Sequence, residues 1–376
     1  MQVTHWNCRP PLPRAWVAWG FSAWMLVCAA AVSSLHAAGP HPFGARDLVD
    51  TSRYALGSFT INVLFIEDAN NRWVDAGRTV AYHQDQMQLA VDWWMGETAS
   101  LHEAASLDIT LDFINAAAPL QVGDIGGAGF STAFIDDLFD QLGYAAIPDR
   151  DDKPRHFNED QRDAHATHWS FTQVVKPVDG RPHTNGINGS MSIGFMYDFR
   201  NIYMHEWAHM FGAADEYPPH HTGTHTGYLH HVNGNAFYLA DGVTPNPDFM
   251  VKSLMQNNWP AINDFTRGQI GTQDLDADTI PDILDTFPTL LADMVDSTPQ
   301  TGRFVFDASA IVNPLPYPGP HGIPAITINT IAGAEVAVDG GPWTPIASLD
   351  GDGDRRGALP DANFPRRAGV HRPEPG

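Results

Sequence analysis

Hydrophobic and polar positions follow two different rhythms along the first two thirds of the chain. From Phe59 to Ile66 apolar and polar residues first alternate (Phe-Thr-Ile-Asn-Val) and then run together (Leu-Phe-Ile), which predicts a strand entering a covered core. Gln84 to Thr98 places Met87, Leu89, Ala90, Trp93 and Trp94 at helical spacing, so it predicts an amphipathic helix whose tryptophans pack inward. Leu107 to Ile114 returns to strict alternation through Leu107, Ile109, Leu111 and Phe113. Ser131 to Leu142 repeats the helical period in Phe134, Ile135, Leu138 and Phe139, with Gly143 at its end. Asp149 to Asp163 is polar and charged and reads as a surface loop. Ser190 to Tyr197 sets Met191, Ile193 and Phe195 between small Ser190, Ser192 and Gly194, the pattern of an edge strand whose open side can pair with an extended peptide. Strands and helices interleave, so the region from about 57 to 270 reads as one α/β unit.

Chemistry concentrates directly after that last strand. Asp198 is a reasonable N-cap for a helix beginning at Phe199, with Ile202, Trp207, Met210 and Phe211 burying its other faces. The same helix carries His205, Glu206 and His209. Residues four apart share one helix face, so both imidazoles can address a single metal ion. Glu206 lies roughly 100° round the helix, too far to be an equal ligand but near enough to reach a water at that ion. Gly212 lets the chain leave the helix through backbone angles other residues avoid, and the turn returns Asp215 as a third ligand. Three protein ligands and one open position make a catalytic site rather than a structural one. The bland alternative is a surface helix that happens to carry two histidines. No glutamate occurs between Glu216 and Glu335, so a third ligand from a downstream helix glutamate is excluded within this unit. Asp215 is the candidate, with adjacent Glu216 as the alternative. An anionic third ligand leaves the metal less electron-poor, which puts more of the work on Glu206.

Met255 stands further on, in Lys252-Ser253-Leu254-Met255-Gln256. With His205-Glu206-x-x-His209-x-x-Gly212-x-x-Asp215 before it, the chain resembles the metzincin zinc peptidases, whose extended helix motif is followed by a tight methionine-bearing turn beneath the zinc. The resemblance implies an α/β (α+β) peptidase domain, Zn2+ held by His205, His209 and Asp215, Glu206 as general base, and Met255 packed under the ligands as the Met-turn residue. An ordinary buried methionine would make similar contacts. The aspartate variant, continuing into Glu216-Tyr217, looks most like secreted peptidases of the immune inhibitor A type. Snapalysin is a smaller relative in pattern, and the clostridial IgA peptidase group also ends in Asp-Glu-Tyr but carries one more residue before it. Ala213-Ala214 stands where a bulkier residue, often proline, is expected. The likeness covers motif and Met-turn, the flanking strands loosely, and not the last third.

Charge and cysteine count then narrow the setting. The 376 residues include 44 acidic and 21 basic ones, and a net charge of −23 argues against a nucleic-acid partner. Arg9 and Arg14, the apolar run from Ala15 to Val32 and small residues to Ala37-Ala38-Gly39 predict a signal peptide over 1–38, with an uncleaved anchor as the alternative. Both cysteines, Cys8 and Cys28, fall inside it, so a processed chain has no disulfide, no thiol nucleophile and no cysteine metal site. The expected setting is secreted, extracellular or periplasmic, with a protein or peptide substrate and no stable membrane association once the signal is cleaved.

Between motif and Met-turn lie His220, His221, His225, His230 and His231, readable as a second metal site, a pH-sensitive flap or a solvated loop. Tyr217 or Tyr228 is a candidate donor to an oxyanion. Asp274, Asp276, Asp278, Asp282 and Asp285 alternate through a short run that suits Ca2+, or serves as a plain acidic linker. This run is similar to a thrombospondin type 3-like repeat, with Thr279 where glycine is usual. Asp350, Asp352 and Asp354 repeat the theme more weakly. Strand-like runs at Phe304 to Phe306, Ala325 to Asn329 and Glu335 to Val338 predict a small β-rich module, and the tail from Arg355 reads as disordered. The predicted organisation is signal peptide 1–38, zinc metallopeptidase domain 39–270, Asp-rich linker 271–300, β-rich module 301–354 and tail 355–376. The competing class is a non-catalytic, calcium-stabilised surface or adhesion protein with a vestigial or structural zinc site.

Overall fold

The computed structural model describes residues 53–103, 105–126, 134–227 and 230–285, together with the backbone of four later strands. The predicted signal segment 1–38, the run from Ala325 to Asn329, Tyr228, the aspartates at 350–354 and the tail lie outside the described residues. The chain divides into two units, the first ending at Ile283.

The first unit is mixed α/β. Its central strand β1 (Ser58–Glu67) runs parallel to β2 (Asp108–Phe113) and to the short β3 (Leu120–Gln121) on one side, and to β4 (Trp169–Lys176) on the other. Beyond β4 come β5 (His183–Thr184) and β6 (Met191–Phe195). β6 is parallel to β4, and β5 lies antiparallel to β6 at the edge of the sheet. The helices are α1 (Val80–Thr98), α2 (Phe134–Phe139), α3 (Lys153–His165) and α4 (Arg200–Met210). Thr79 caps α1, its hydroxyl accepting from the Tyr82 amide at 3.1 Å, so the helix starts four residues ahead of the apolar period.

The two sheet faces have different chemistry. Phe59 and Phe171 pack on Phe211 (ring centroids 5.0 and 6.2 Å), Phe211 packs on Trp94 of α1 (5.1 Å), and Phe171 also meets Trp207 of α4 (6.3 Å). On the other face Leu64, Ile66, Val174, Met191, Ile193 and Phe195 form one cluster with Phe134, Leu138, Phe139 and Phe157. That second face also buries polar groups. Asn158 of α3 answers them, accepting from Asn62 Nδ2 (3.2 Å) and Thr172 Oγ1 (2.7 Å) and donating to Ser190 O (2.8 Å).

Asn158 explains one correction. The segment read as a polar surface loop holds helix α3, which buries Lys153, Pro154, Phe157 and Asn158, with Asn158 bonded to the sheet and Lys153 ion-paired to Asp136 and Asp140. A second correction concerns Ser190 to Tyr197. β6 is buried throughout and paired on both sides, so it is not the edge strand. Its small residues mark the close approach of α4: a Cβ on Gly194 would sit 3.2 Å from Tyr203 and 3.3 Å from Asp198 Oδ2. Nor does Asp198 cap α4. Phe199 holds that position, and Asp198 turns back to accept the Phe195 amide at 2.7 Å. Strand β4, fully buried, was not foreseen at all.

No helix among the described residues is long and apolar enough to cross a membrane. The second unit contains β9 (Pro288–Asp296) antiparallel to β10 (Val305–Val312), and β11 (Ala334–Val336) antiparallel to β12 (Thr344–Ile346). β10 and β11 overlap the runs expected at 304–306 and 335–338, while β9 begins inside the segment read as linker.

Candidate metal centre

Helix α4 brings His205 and His209 onto one buried face, with the ring centroids 4.9 Å apart. The helix ends at Met210 and the chain turns away at Gly212, whose φ of 112° is left-handed, and a Cβ there would lie 2.9 Å from Gln269 O. The turn returns Asp215 so that Oδ1 stands 3.0 Å from His205 Nε2 and 3.3 Å from His209 Nε2. The three side chains form a group able to hold a metal ion.

Hydrogen bonding on the far side of each ring fixes its tautomer. His205 Nδ1 lies 2.8 Å from Leu254 O, and His209 Nδ1 lies 2.8 Å from Ala213 O. Carbonyl oxygens only accept, so each Nδ1 carries a proton and each Nε2 is turned to Asp215 Oδ1, free to ligate a metal whenever it is not itself protonated. Oδ1 is buried and makes no well-aligned hydrogen bond. These three atoms can share a cation, either a metal ion or, without one, a proton held on His209. Charge tells the same story. Burial opposes a charge on His209, yet Asp215 outweighs it and lifts that imidazole to about 9. Burial would likewise raise the Asp215 carboxyl, but the two histidines hold it far below its usual range. The donor set of two imidazoles and a carboxylate therefore fits a divalent metal.

Glu206 is buried beside this group. Burial raises its carboxyl above the usual value, His209 and His205 pull it down, and Asp215 adds to the rise. A carboxylate poised upward at such a place is suited to accept and release a proton.

Glu216 does not share the metal group; its side chain is a hub in the interior. It accepts from Asn235 Nδ2 (2.6 Å), Asn263 Nδ2 (2.6 Å), Thr266 Oγ1 (3.0 Å) and Ser253 Oγ. The same region holds Met255, on the single helical turn α5 (Leu254–Asn257) capped by Ser253. The turn is bonded to the site twice, through Leu254 O to His205 and through Met255 O to the Glu216 amide at 3.0 Å. The Met255 side chain is fully buried. Below it, α6 (Asp264–Ile270) supplies Thr266 to Glu216 and Gln269, whose Oε1 accepts the Ala214 amide at 3.0 Å. Ala213 and Ala214 are fully buried where that packing is tight.

Around the rim, the Tyr217 ring lies nearly parallel to His205 at 6.3 Å, and its hydroxyl accepts from Arg181 at 3.2 Å. Burial and the Asp215 charge push that phenol up to about 12. Of the His-rich loop, His220 reaches the site, with Nε2 at 3.6 Å from Asp215 Oδ2. His225 and His231 lie on the paired strands β7 (His225–Thr226) and β8 (His231–Val232), and the loop makes no second group of three ligands among the described residues. Arg181, the Glu216 hub and the two carbonyls that orient the histidines went unforeseen. Nothing local in the sequence marks them, because each acts on a residue remote in sequence or through the backbone.

Asp274, Asp276 and Asp278 form a second convergent group, more exposed than the first. Asp282 instead accepts the Leu275 amide at 2.9 Å, and Asp285 is exposed and falls in the second unit. No model of a known protein family, no curated protein and no solved structure matches the chain.

Proposed function

We propose that this protein is a zinc-dependent endopeptidase, with His205, His209 and Asp215 as the zinc ligands and Glu206 as the general base. The supporting observation is the convergence of two Nε2 atoms and a carboxylate oxygen on one buried point, with each Nδ1 proton fixed from behind. The acceptor separations of 3.0 and 3.3 Å lie near the ligand–ligand spacing of about 3.3 Å in a tetrahedral site with bonds of about 2.0 Å. Zinc held there supplies a Lewis acid that polarises the scissile carbonyl and makes water a nucleophile at neutral pH.

The chain's own residues do the rest. Glu206 takes the proton of the attacking water and delivers it to the leaving amine. The Tyr217 hydroxyl, kept protonated, serves as donor to the developing oxyanion in this reading. Leu254 O and Ala213 O keep the imidazoles in the ligating tautomer. Substrate backbone pairs with the open side of β5, the edge strand of the sheet, rather than with β6. The resemblance to metzincins, export through segment 1–38 and a protein or peptide substrate belong to this same reading. We infer Ca2+ for the Asp274, Asp276 and Asp278 group, which offers the hard oxygen donors that ion prefers.

A buried, upward-shifted glutamate beside the ligands favours catalysis over a purely structural zinc, which has no use for a base. The deciding experiment is Glu206→Gln, measured as zinc content and casein hydrolysis with and without chelator. Zinc should remain bound while hydrolysis falls by at least about a hundredfold. Hydrolysis at the wild-type rate would sink the mechanism.

A further inference from the structure

We propose that the Arg181 guanidinium sets the substrate specificity of this site by taking a carboxylate of the substrate, an Asp or Glu side chain beside the scissile bond. The proposal rests on the peptidase reading above and names its substrate class. Arg181 lies on the loop between β4 and β5, two residues before the edge strand begins at His183. An extended peptide added to the free side of β5 runs past it.

One guanidinium nitrogen donates to the Tyr217 hydroxyl at 3.2 Å, and Tyr217 is stacked on the ligand His205. The cation is thereby held at the rim of the metal group while its side chain stays exposed. Among the described residues no carboxylate lies within ion-pair distance of it, in contrast to Arg267, which meets Glu97 at 2.8 Å, and Arg162, which meets Asp163 at 3.0 Å. The remaining N–H donors form a planar fork matched to a carboxylate.

Local charge points the same way. Asp215 and Glu206 are the carboxylates whose charge reaches Arg181, and a divalent ion held by the site would neutralise both and leave the guanidinium to an incoming carboxylate. The chain as a whole carries −23, so an acidic substrate is repelled elsewhere and attracted here.

The test uses the full zinc-loaded chain and short alanine-based peptides carrying a single Glu, Gln or Lys at successive positions. Binding is measured by calorimetry in the Glu206→Gln background, and hydrolysis by kcat/KM with Glu206 intact. At one position the Glu peptide should bind about tenfold more tightly than the Gln peptide. Arg181→Ala should bring that ratio close to unity, and Arg181→Glu should invert it in favour of Lys. Equal weakening of all three peptides in Arg181→Ala would mean that Arg181 acts only through Tyr217, and would overturn the proposal, as would a wild-type ratio near unity. The two readings fail separately. A charge-dependent binding ratio without hydrolysis rejects the peptidase and keeps the carboxylate site; hydrolysis without an Arg181-dependent ratio does the reverse.

Discussion

The segment from His205 to Tyr217 and the loop from Asp274 to Asp282 both gather side chains able to ligate a metal, but they hold them in opposite ways. In the first, remote parts of the chain fix the geometry: Leu254 O orients His205, Asn233 Nδ2 holds Asp215 O at 2.8 Å, and Gln269 holds Ala214. In the second, the carboxylates are held by their own loop. Asp274 accepts the amides of Asp278 (3.2 Å) and Thr279 (2.9 Å), and Asp278 accepts that of Ile280 (2.7 Å). A centre tied to the core is built by folding and is ready before an ion arrives. A loop that caps itself on the surface has fewer ties to the core, so any ion it bound would raise its stability along with its occupancy. Burial separates the two as much as ligand identity does.

The same isosteric change made in each region should expose that difference most strongly. Glu216→Gln places an amide NH2 among the Asn235, Ser253, Asn263 and Thr266 donors, so it should destabilise the fold by about 3 kcal/mol. It should also lower zinc affinity, although Glu216 is not a ligand. In the exposed loop, Asp276→Asn without calcium should cost less than about 0.5 kcal/mol. Urea denaturation of both variants with zinc and calcium removed makes the comparison, and equal costs would dissolve it. Asp215→Asn is the sharper companion. Without the carboxylate nothing holds the His209 proton up to about 9, so the metal-free fold should lose stability at pH 7, and zinc affinity should fall by more than about a hundredfold. Competitive zinc titration and metal-free denaturation read the two halves separately.

How much of this was readable beforehand follows from the range of each interaction. His205, Glu206 and His209 are legible because helical spacing is local, and Gly212 because a left-handed turn needs it. Asp215 and Glu216 are neighbours with the same local signal, and only donors 19 to 50 residues away decide which of them faces the histidines. Strand β4 escaped notice because Ser170, Thr172, Gln173 and Lys176 are buried polar residues, and a strand covered on both faces need not look apolar when its partners satisfy it. α3 is hidden for the complementary reason, since Phe157 is its one large apolar anchor and the rest of its buried face is Lys153, Pro154 and Asn158. The alternation in β6 was seen, but small residues facing a helix look like small residues facing water.

Acid provides the next test. His83 of α1 sits fully buried behind the site, its Nδ1 2.7 Å from Tyr203 Oη, and burial lowers it from 6.5 to about 4. Between those values the unfolded chain binds a proton that the folded chain refuses, so stability is lost as pH falls from 6.5 towards 4. The shift corresponds to about 3 kcal/mol in full and about 2 kcal/mol by pH 5. Denaturation midpoints at pH 7 and pH 5 should show that loss in the wild type and a smaller one in His83→Phe. An unchanged slope in His83→Phe would move the acid sensitivity to other groups.

The smallest effect belongs to the surface loop. Thr279 has φ 78°, a conformation that a β-branched residue adopts only under strain, and its amide is held by Asp274 Oδ2 while its carbonyl accepts from His102 at 2.8 Å. Thr279→Gly removes the strain and keeps both backbone bonds, but glycine also enlarges the freedom of the unfolded chain. The two nearly cancel in the metal-free protein, leaving a net gain of less than about 1 kcal/mol. With calcium present the balance tips, because the relaxed turn carries Asp278 and Ile280 into place without strain, and the variant should bind Ca2+ more tightly than the wild type in a direct titration. The same substitution should leave zinc affinity untouched if the two regions are independent. A coupled change in both metals would show that the loop reaches the buried centre, through His102 and the end of α1 if anywhere.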